Sequence, residues 1–297
     1  MVALVSDARI RPMRPEDVVT AERLSSEGFY EVDARLAPRG GPEPEPRSPA
    51  RGAQWVERTL HVLRTDPGGC WVAEVDGEMI GCATSLTREL MWILSTYVVR
   101  PGLQGQGIGK ALLAAALHHG RGCLRGMLSA SADARAVRRY RAAGFSLHPQ
   151  MYLSGSVDRA AIPVLEKVRD GSAGDFELMD SIDRRVRGAA HGPDHALLLG
   201  MFRLVVSDTS TGSGYAFHAA DGMPALLAAT NRRTAARLLW ECLAASGESV
   251  RVPHVTAANE WAIDVGLAAR LDLVQEGYLA LRDMRPPAPY LHHGSLL

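Results

Sequence analysis

The stretch Val98–Leu113, VVRPGLQGQGIGKALL, decides how the middle of this chain folds. An apolar, β-branched run ends at Val99, Pro101 interrupts it, and a strongly helix-forming alanine and leucine segment follows. The order predicts a strand, a tight turn and the start of a helix. Glycines at alternate positions allow successive backbone N–H groups to point into one concavity. With the positive end of the helix dipole, such a turn can bind a pyrophosphate through main chain alone.

Three kinds of phosphate-binding loop share this pattern. A P-loop requires Ser or Thr directly after Gly-Lys, but Ala111 follows Lys110. A dinucleotide loop requires G-x-G-x-x-G in the first βαβ unit, whereas this chain has G-x-G-x-G farther along. The third is the Q/R-x-x-G-x-G/A loop of the GNAT superfamily, the acyl-CoA-dependent N-acyltransferases, which Gln104, Gly107 and Gly109 resemble without a gap. A strand–helix turn without a ligand is the alternative.

A second segment strengthens the resemblance to GNAT domains. Asp133–Phe145 is similar to the family motif N-x-x-A-x-x-x-Y-x-x-x-G-F and departs from it at Asp133, where Asn is common. The resemblance extends over most of residues 8–153. It places a first strand near Ile10, a hairpin with an Asp-Gly turn over Cys70–Thr84, and strands over Met91–Val99 and Gly126–Ala130.

The resemblance implies an acetyl-CoA cosubstrate and direct transfer of the acetyl group to an amine. It implies that Tyr140 is the general acid that protonates the departing thiolate, and that a backbone N–H near Tyr97–Val99 polarises the thioester. A core tyrosine is the alternative role for Tyr140. The implied cofactor-binding residues are Val98, Val99, Gln104, Gly105, Gln106, Gly107, Ile108, Gly109, Lys110, Asp133 and Ala136.

A general base is not evident from the sequence. The strand that leads into the glycine loop contains no carboxylate. Glu89 precedes that strand, and Glu27 and Glu31 lie where GNAT domains often meet substrate; each is also readily explained as a surface charge. A water chain or an amine that arrives neutral would serve as well. A non-catalytic acyl-CoA-binding or sensor protein is therefore the competing function.

An internal repeat predicts that the fold is duplicated. A shift of 126 positions aligns Leu112-Leu113 with Leu238-Leu239 and Phe145 with Leu271. We therefore expect an α/β (α+β) protein with two tandem GNAT-like domains, each a mixed sheet flanked by helices: an active domain over 1–155 and a degenerate one over 156–297. The same shift puts 230–235, which lack glycine, on the loop, and Gly266 on Tyr140, so the second copy should not bind CoA.

Composition limits the partners. The 33 basic and 33 acidic residues balance, and no basic strip with aromatics indicates nucleic-acid binding. Scattered cysteines, the absence of a long apolar run and the absence of a leader pattern predict buried thiols in a cytoplasmic protein without membrane contact. The oligomeric state is open. The arginines of 135–141 form a patch for which CoA phosphates, nucleic acid and solvent are the alternatives.

Two further segments carry expectations. The proline-rich stretch from Arg35 to about Ala53 predicts an extended mobile loop, either a substrate lid or a disordered insertion. His191 and His195 are four apart, but Gly192-Pro193 argue against a continuous helix. No metal is predicted, and a turn with solvated histidines is expected. The aspartates at 180, 183 and 194 could alternatively recognise a cationic acceptor.

Overall fold

The structure of this protein is a computed structural model that describes residues 8–37 and 43–297. It divides into two compact units. Unit 1 contains the described residues up to Leu124 together with Ser131–Arg139, and unit 2 contains Arg125–Ala130 together with Tyr140–Leu297.

Unit 1 is a four-stranded antiparallel sheet with helices, and its strands are paired in chain order. Its elements are β1 (Arg9–Pro12), α1 (Val18–Leu36), α2 (Pro49–Thr65), β2 (Cys70–Val75), β3 (Glu78–Arg88), β4 (Met91–Val99), α3 (Ile108–His119) and the first part of α4 (Ala134–Ala142). The predicted first strand, hairpin and fourth strand are confirmed.

Local chemistry explains two of these boundaries. Asp76 and Gly77 both have positive φ, which a two-residue hairpin turn between β2 and β3 requires. Ser48 caps α2 by accepting a hydrogen bond from the Arg51 N–H, and Pro49 occupies the first helical turn. The prediction of an irregular segment up to Ala53 is therefore wrong at its end. Part of that predicted loop, residues 38–42, lies outside the described residues.

The buried carboxylate of Asp66 stabilises the end of the unit 1 sheet at which β3 finishes. Asp66 accepts hydrogen bonds from the Arg88 guanidinium (2.7 Å) and the Thr87 backbone N–H (2.8 Å). His119 at the end of α3 lies 3.2 Å from the same carboxylate. Both Asp66 and Arg88 are buried, so the ion pair fixes the loop before β2 to the last residue of β3.

Unit 2 contains two sheets. Its elements are β5 (Arg125–Ala130), the end of α4, β6 (Ser146–Gly155), β7 (Arg169–Asp170), α5 (Phe176–Val186), α6 (Asp194–Met201), β8 (Arg203–Thr209), β9 (Gly212–His218), β10 (Pro224–Ala229), α7 (Arg232–Ala244), β11 (Val250–Thr256), α8 (Glu260–Ala268), β12 (Asp272–Arg282) and β13 (Tyr290–Leu291). One sheet has the order β13-β10-β9-β8-β7, and the other contains the run β5-β12-β6-β11.

The second run shows that the two repeats exchange strands. β6 begins at Ser146 and β12 at Asp272, which are 126 residues apart, so the two strands are equivalent. β12 pairs antiparallel with both β5 and β6, and β6 pairs with β11. Each repeat thus places its last strand among strands of the other. The predicted duplication is present. The predicted boundary between two domains at residues 155 and 156 stays a prediction.

Among the described residues, none of the helices combines the length and the apolar character that crossing a membrane requires. Cys70, Cys82 and Cys242 are buried free thiols and Cys123 is half-buried, in agreement with the sequence-based expectation. Burial raises the pKa of each of the three buried thiols to about 12.

Candidate active site

The loop between β4 and α3 is open and requires glycine. Gly102, Gly105 and Gly107 have φ of 82°, 87° and 92°. A Cβ added at any of them would meet no atom within 4 Å. Backbone conformation rather than crowding therefore selects glycine here, because L-residues are strained at such φ values. The missing side chains leave the main chain accessible from the open side.

Gln104 holds the loop in this shape. Its side-chain amide donates to the Val99 carbonyl (3.1 Å), and its side-chain oxygen accepts from the Gly102 N–H (3.0 Å). The glutamine of the loop motif thus braces the turn from within. The neighbouring Arg100 N–H donates to the Ile80 carbonyl, which ties the start of the loop to β3.

The start of α3 supplies outward-pointing donors. The first helical hydrogen bond runs from the Ala111 N–H to the Gly107 carbonyl (3.1 Å). The N–H groups at 108–110 precede it and point out of the helix end, where the dipole is positive. Ile108 is buried and anchors this turn, and Lys110 is exposed beside it. The geometry matches an anion cradle built from main chain.

Tyr97 connects the loop to α4 within unit 1. A Cβ on Gly109 would lie 2.4 Å from the Tyr97 hydroxyl, so glycine is required there by close approach. Arg139 of α4 donates a hydrogen bond to the same hydroxyl. Burial raises the pKa of Tyr97 to about 12 against the opposing effect of Arg139, so the hydroxyl stays neutral. Sequence reasoning missed this contact, because nothing in the spacing of 97, 109 and 139 indicates it.

Asp133 organises the start of α4. Its carboxylate accepts from the Arg135 N–H (2.7 Å) and side chain (3.0 Å) and from Arg35 of α1 (2.6 Å). Burial opposes ionisation, but these hydrogen bonds outweigh it and lower the pKa of Asp133 to about 2. Asp133 thus caps the helix as the common Asn of the motif would, and Ala136 lies half-buried one residue beyond Arg135.

The end of β4 faces α1. Val98 is buried, and a Cβ on Gly28 would lie 2.5 Å from its Cγ2, so the helix passes directly over the strand. Glu31 follows Gly28 by less than one turn. Its Oε2 is buried and accepts no hydrogen bond among the described residues. Glu89 lies in the hairpin turn at the other end of the nine-residue β4, about 26 Å along the strand.

Tyr140 lies at the end of α4, in unit 2. Its side chain is 5% exposed and is the buried residue of that helix. The Ala143 and Phe145 N–H groups donate to its carbonyl, and Gly144 turns the chain with a φ of 88°. The role of Tyr140 as general acid stays a prediction. Of the neighbouring arginines, Arg141 donates to the Phe145 carbonyl (2.7 Å).

The second repeat has no equivalent of this loop. β10 ends at Ala229 and α7 begins at Arg232, so two residues replace the eight between β4 and α3. Asn231 caps α7 by accepting from the Thr234 N–H (2.9 Å), which fills the helix end that glycine leaves open in the first repeat. The chain's own β13 pairs with β10 through Leu227 and Ala228.

Other equivalent positions show how the second repeat differs from the first. Arg270 has a φ of 65° and replaces Gly144 in the turn after its helix. A Cβ on Gly266, the counterpart of Tyr140, would lie 2.6 Å from Leu153 of β6. The exchanged strand therefore occupies the space that a tyrosine ring would need.

The expectation of solvated histidines at 191 and 195 is wrong, since both side chains are fully buried. α6 begins at Asp194, so the break at Gly192-Pro193 is confirmed. Asp183 is fully buried and accepts from the His191 ring (2.7 Å), which leaves it inaccessible to an acceptor amine in solvent.

Residues 29–145 match the family profile described as acetyltransferase (GNAT) family. A mycothiol acetyltransferase of Streptomyces avermitilis is 42% identical over 88 residues, which is 28% of this chain and 29% of that protein. A second one, of Streptomyces coelicolor, is 40% identical over 88 residues and 28% of its length. The chain thus aligns with less than a third of the length of these relatives.

Solved structures share the fold over the whole chain. A putative acetyltransferase from Pyrococcus horikoshii has a TM-score of 0.74 at 16% identity, covering 98% of this chain and 95% of its own. A tandem GNAT protein from the clavulanic acid biosynthesis pathway has a TM-score of 0.54 at 15% identity, covering 94% and 99%. The α+β architecture with two GNAT-like sheets is therefore that of tandem GNAT proteins.

Proposed function

We propose, from the premise that this chain carries a GNAT acetyltransferase domain over residues 29–145, that it transfers an acetyl group from acetyl-CoA to an amine. The observation that carries the proposal is the loop of three left-handed glycines ahead of α3. Its exposed main chain and the helix N-terminus fit a pyrophosphate. In the second repeat the two-residue connection and the Asn231 cap offer no such cradle.

The resemblance to GNAT domains assigns a role to each reacting group. The amine attacks the thioester directly, as the resemblance to GNAT domains implies. A backbone N–H at the end of β4, around Tyr97–Val99, stabilises the tetrahedral oxyanion. Tyr140 donates its hydroxyl proton to the departing thiolate, as the resemblance of its motif to GNAT domains implies.

Glu31 is the carboxylate best placed to accept the proton of the amine. It follows Gly28, which lies against Val98 at the end of β4, and its buried Oε2 accepts no hydrogen bond in the described structure. Its other oxygen lies 3.9 Å from Arg35. An open cleft of about 430 Å³ lies between α1 and the start of α2, and its lining contains two acidic and two basic side chains, of which Glu22 and Arg47 are paired at 2.8 Å.

Calorimetric titration with acetyl-CoA tests the binding half of the proposal. Wild-type protein should bind one acetyl-CoA per chain, and Gly107→Glu should abolish binding by placing a carboxylate in the cradle. Gly77→Glu is the matched control, because it has the same positive φ and open surroundings but lies in the β2–β3 turn. Two sites, or equal binding by both variants, would contradict the proposal.

Turnover with a panel of amines tests the catalytic half. Tyr140→Phe should lower kcat about 10²-fold or more while acetyl-CoA binding persists, as expected for loss of a general acid. The competing function is a sensor that binds acyl-CoA without transfer, which the absence of a carboxylate on β4 favours. Binding by the wild type without turnover of any amine would establish the sensor instead.

A further inference from the structure

A cluster of metal-ligating side chains lies in unit 2, away from the glycine loop. Asp183 belongs to α5, His195 to the first turn of α6, and His191 to the connection between them. All three are fully buried. Their ligating atoms lie within 4.8 Å of one another. Asp180, one turn before Asp183, completes the cluster and is partly exposed.

The distances are those of a coordination site. His195 Nε2 lies 3.1 Å from Asp183 Oδ2 and 3.2 Å from Asp180 Oδ1. His191 Nδ1 lies 2.7 Å from Asp183 Oδ2. Two ligand atoms in a tetrahedral zinc site are about 3.3 Å apart, given bonds of about 2.0–2.2 Å. Asp183, His191 and His195 form the three-residue cluster, and movements of His191 and of Asp180 would bring four donor atoms around one ion.

His195 provides an independent observation. Neither nitrogen of its buried ring makes a hydrogen bond among the described residues, although two carboxylates lie close to Nε2. Stranding a buried polar atom costs about 1–3 kcal/mol. Phe176 and Phe217 stack on the ring at centroid distances of 5.6 and 6.2 Å, and Tyr215 packs edge-on. The aromatic rings thus hold the imidazole in place, with Nε2 close to the two carboxylates.

Surrounding groups orient the other ligands as the outer shell of a metal site does. The Tyr290 hydroxyl lies 3.3 Å from His191 Nε2, so that nitrogen can donate to it while Nδ1 binds an ion. Tyr215 donates to the second oxygen of Asp183. The Gly192 N–H donates to Asp180 (3.0 Å). Each of these contacts fixes the position of a proposed ligand.

We propose that Asp180, Asp183, His191 and His195 bind one divalent transition-metal ion of the zinc class and thereby fasten α5 to α6. Imidazole with carboxylate suits Zn²⁺ or Co²⁺ better than the hard cations Mg²⁺ and Ca²⁺, which take oxygen ligands only. Partly exposed Asp180 lies at the rim of the site and gives the ion a way in.

Metal binding to tag-free protein, stripped with EDTA and dialysed, tests the proposal without any assay of activity. Titration with Zn²⁺ should give one tightly bound ion per chain by mass spectrometry of metals. Co²⁺ should give the visible absorption of a tetrahedral site without a thiolate charge-transfer band. The melting temperature should rise when Zn²⁺ is added and fall with EDTA.

His195→Leu is the informative variant, because it removes a proposed ligand whose ring sits among apolar and aromatic side chains that leucine can also contact. We expect it to weaken Zn²⁺ binding at least 100-fold. His218→Leu is the control: His218 is 2% exposed, has an unpartnered Nε2, and its Nδ1 bonds to the Ala219 carbonyl. Equal binding by the two variants would overturn the proposal. If His195→Leu does not fold, wild-type protein that binds no ion and melts at one temperature in Zn²⁺ and EDTA overturns it.

Discussion

The contact between Gly109 and Tyr97 makes a quantitative prediction about the cradle. In Gly109→Ala the new Cβ would start 2.4 Å from the Tyr97 hydroxyl, and both groups would have to move. Tyr97 is held by burial and by Arg139, so the strain falls largely on the first turn of α3. That turn contains the N–H groups that form the proposed pyrophosphate site.

The magnitude follows from opposing effects. Overpacking of this kind costs about 1–3 kcal/mol, and the helix propensity of alanine over glycine returns up to about 1 kcal/mol. Gly109→Ala should therefore destabilise the protein by about 1–2 kcal/mol. Tyr97→Phe alone loses one hydrogen bond to Arg139, about 1 kcal/mol. In the double variant the nearest atoms, Tyr97 Cζ and Val99 Cγ2, would lie at ordinary contact distances of 3.4 and 3.5 Å.

Urea unfolding and acetyl-CoA titration of the four proteins in this cycle test the reasoning. We expect the double variant to be about as stable as Tyr97→Phe, which is a favourable coupling of at least about 1 kcal/mol. The Kd for acetyl-CoA should rise about tenfold in Gly109→Ala, equivalent to about 1.4 kcal/mol, and recover in the double variant. Additive effects of the two substitutions, or wild-type affinity in Gly109→Ala, would refute the close approach.

Three further predictions concern stability and assembly. Asp66→Asn should cost about 3–5 kcal/mol in urea unfolding, because it leaves buried Arg88 without its counter-charge; a loss below about 1 kcal/mol would contradict that. The pKa of Asp133 falls to about 2 on folding, so its stabilisation is complete above the unfolded value near 4 and is lost as pH falls through 2. Unfolding measured between pH 5 and 2 should therefore show a smaller pH dependence in Asp133→Asn than in the wild type, and equal slopes would contradict this. A fragment of residues 1–155 should form dimers or aggregates in analytical ultracentrifugation, because it lacks β12, which pairs with both β5 and β6; a folded monomer would contradict this.

The sequence predicted the site elements well where local chemistry determines them. The glycines before α3 and the hairpin at Asp76-Gly77 depend on φ values and on hydrogen bonds between near neighbours. Such features can be recognised from spacing. Helix α2 was the local exception, because a proline at the first helical turn was interpreted as a helix breaker although Pro49 is well suited to that position.

The pairing of strands that are distant in the chain could not be predicted from the sequence. Alignment of the repeats shows that Ser146 and Asp272 are equivalent, but it does not show that the strands they begin lie side by side. The burial of His191 and His195 was missed for a related reason. Polar residues beside Gly-Pro are typical of a surface turn, and only the aromatic rings of Phe176, Tyr215 and Phe217, contributed by other elements, enclose them.

The strand exchange also explains why the two repeats can differ so much in function. β6 and β12 pair with each other and must keep compatible apolar faces, since Leu153 packs among the core residues of α7 and α8. The loop before α3 and the loop before α7 carry no such constraint. It is eight residues long with left-handed glycines before α3 and two residues long with an Asn cap before α7. Packing within the shared sheet therefore constrains the strands of both repeats, whereas the loop before either helix can differ in length and sequence without a cost to that packing.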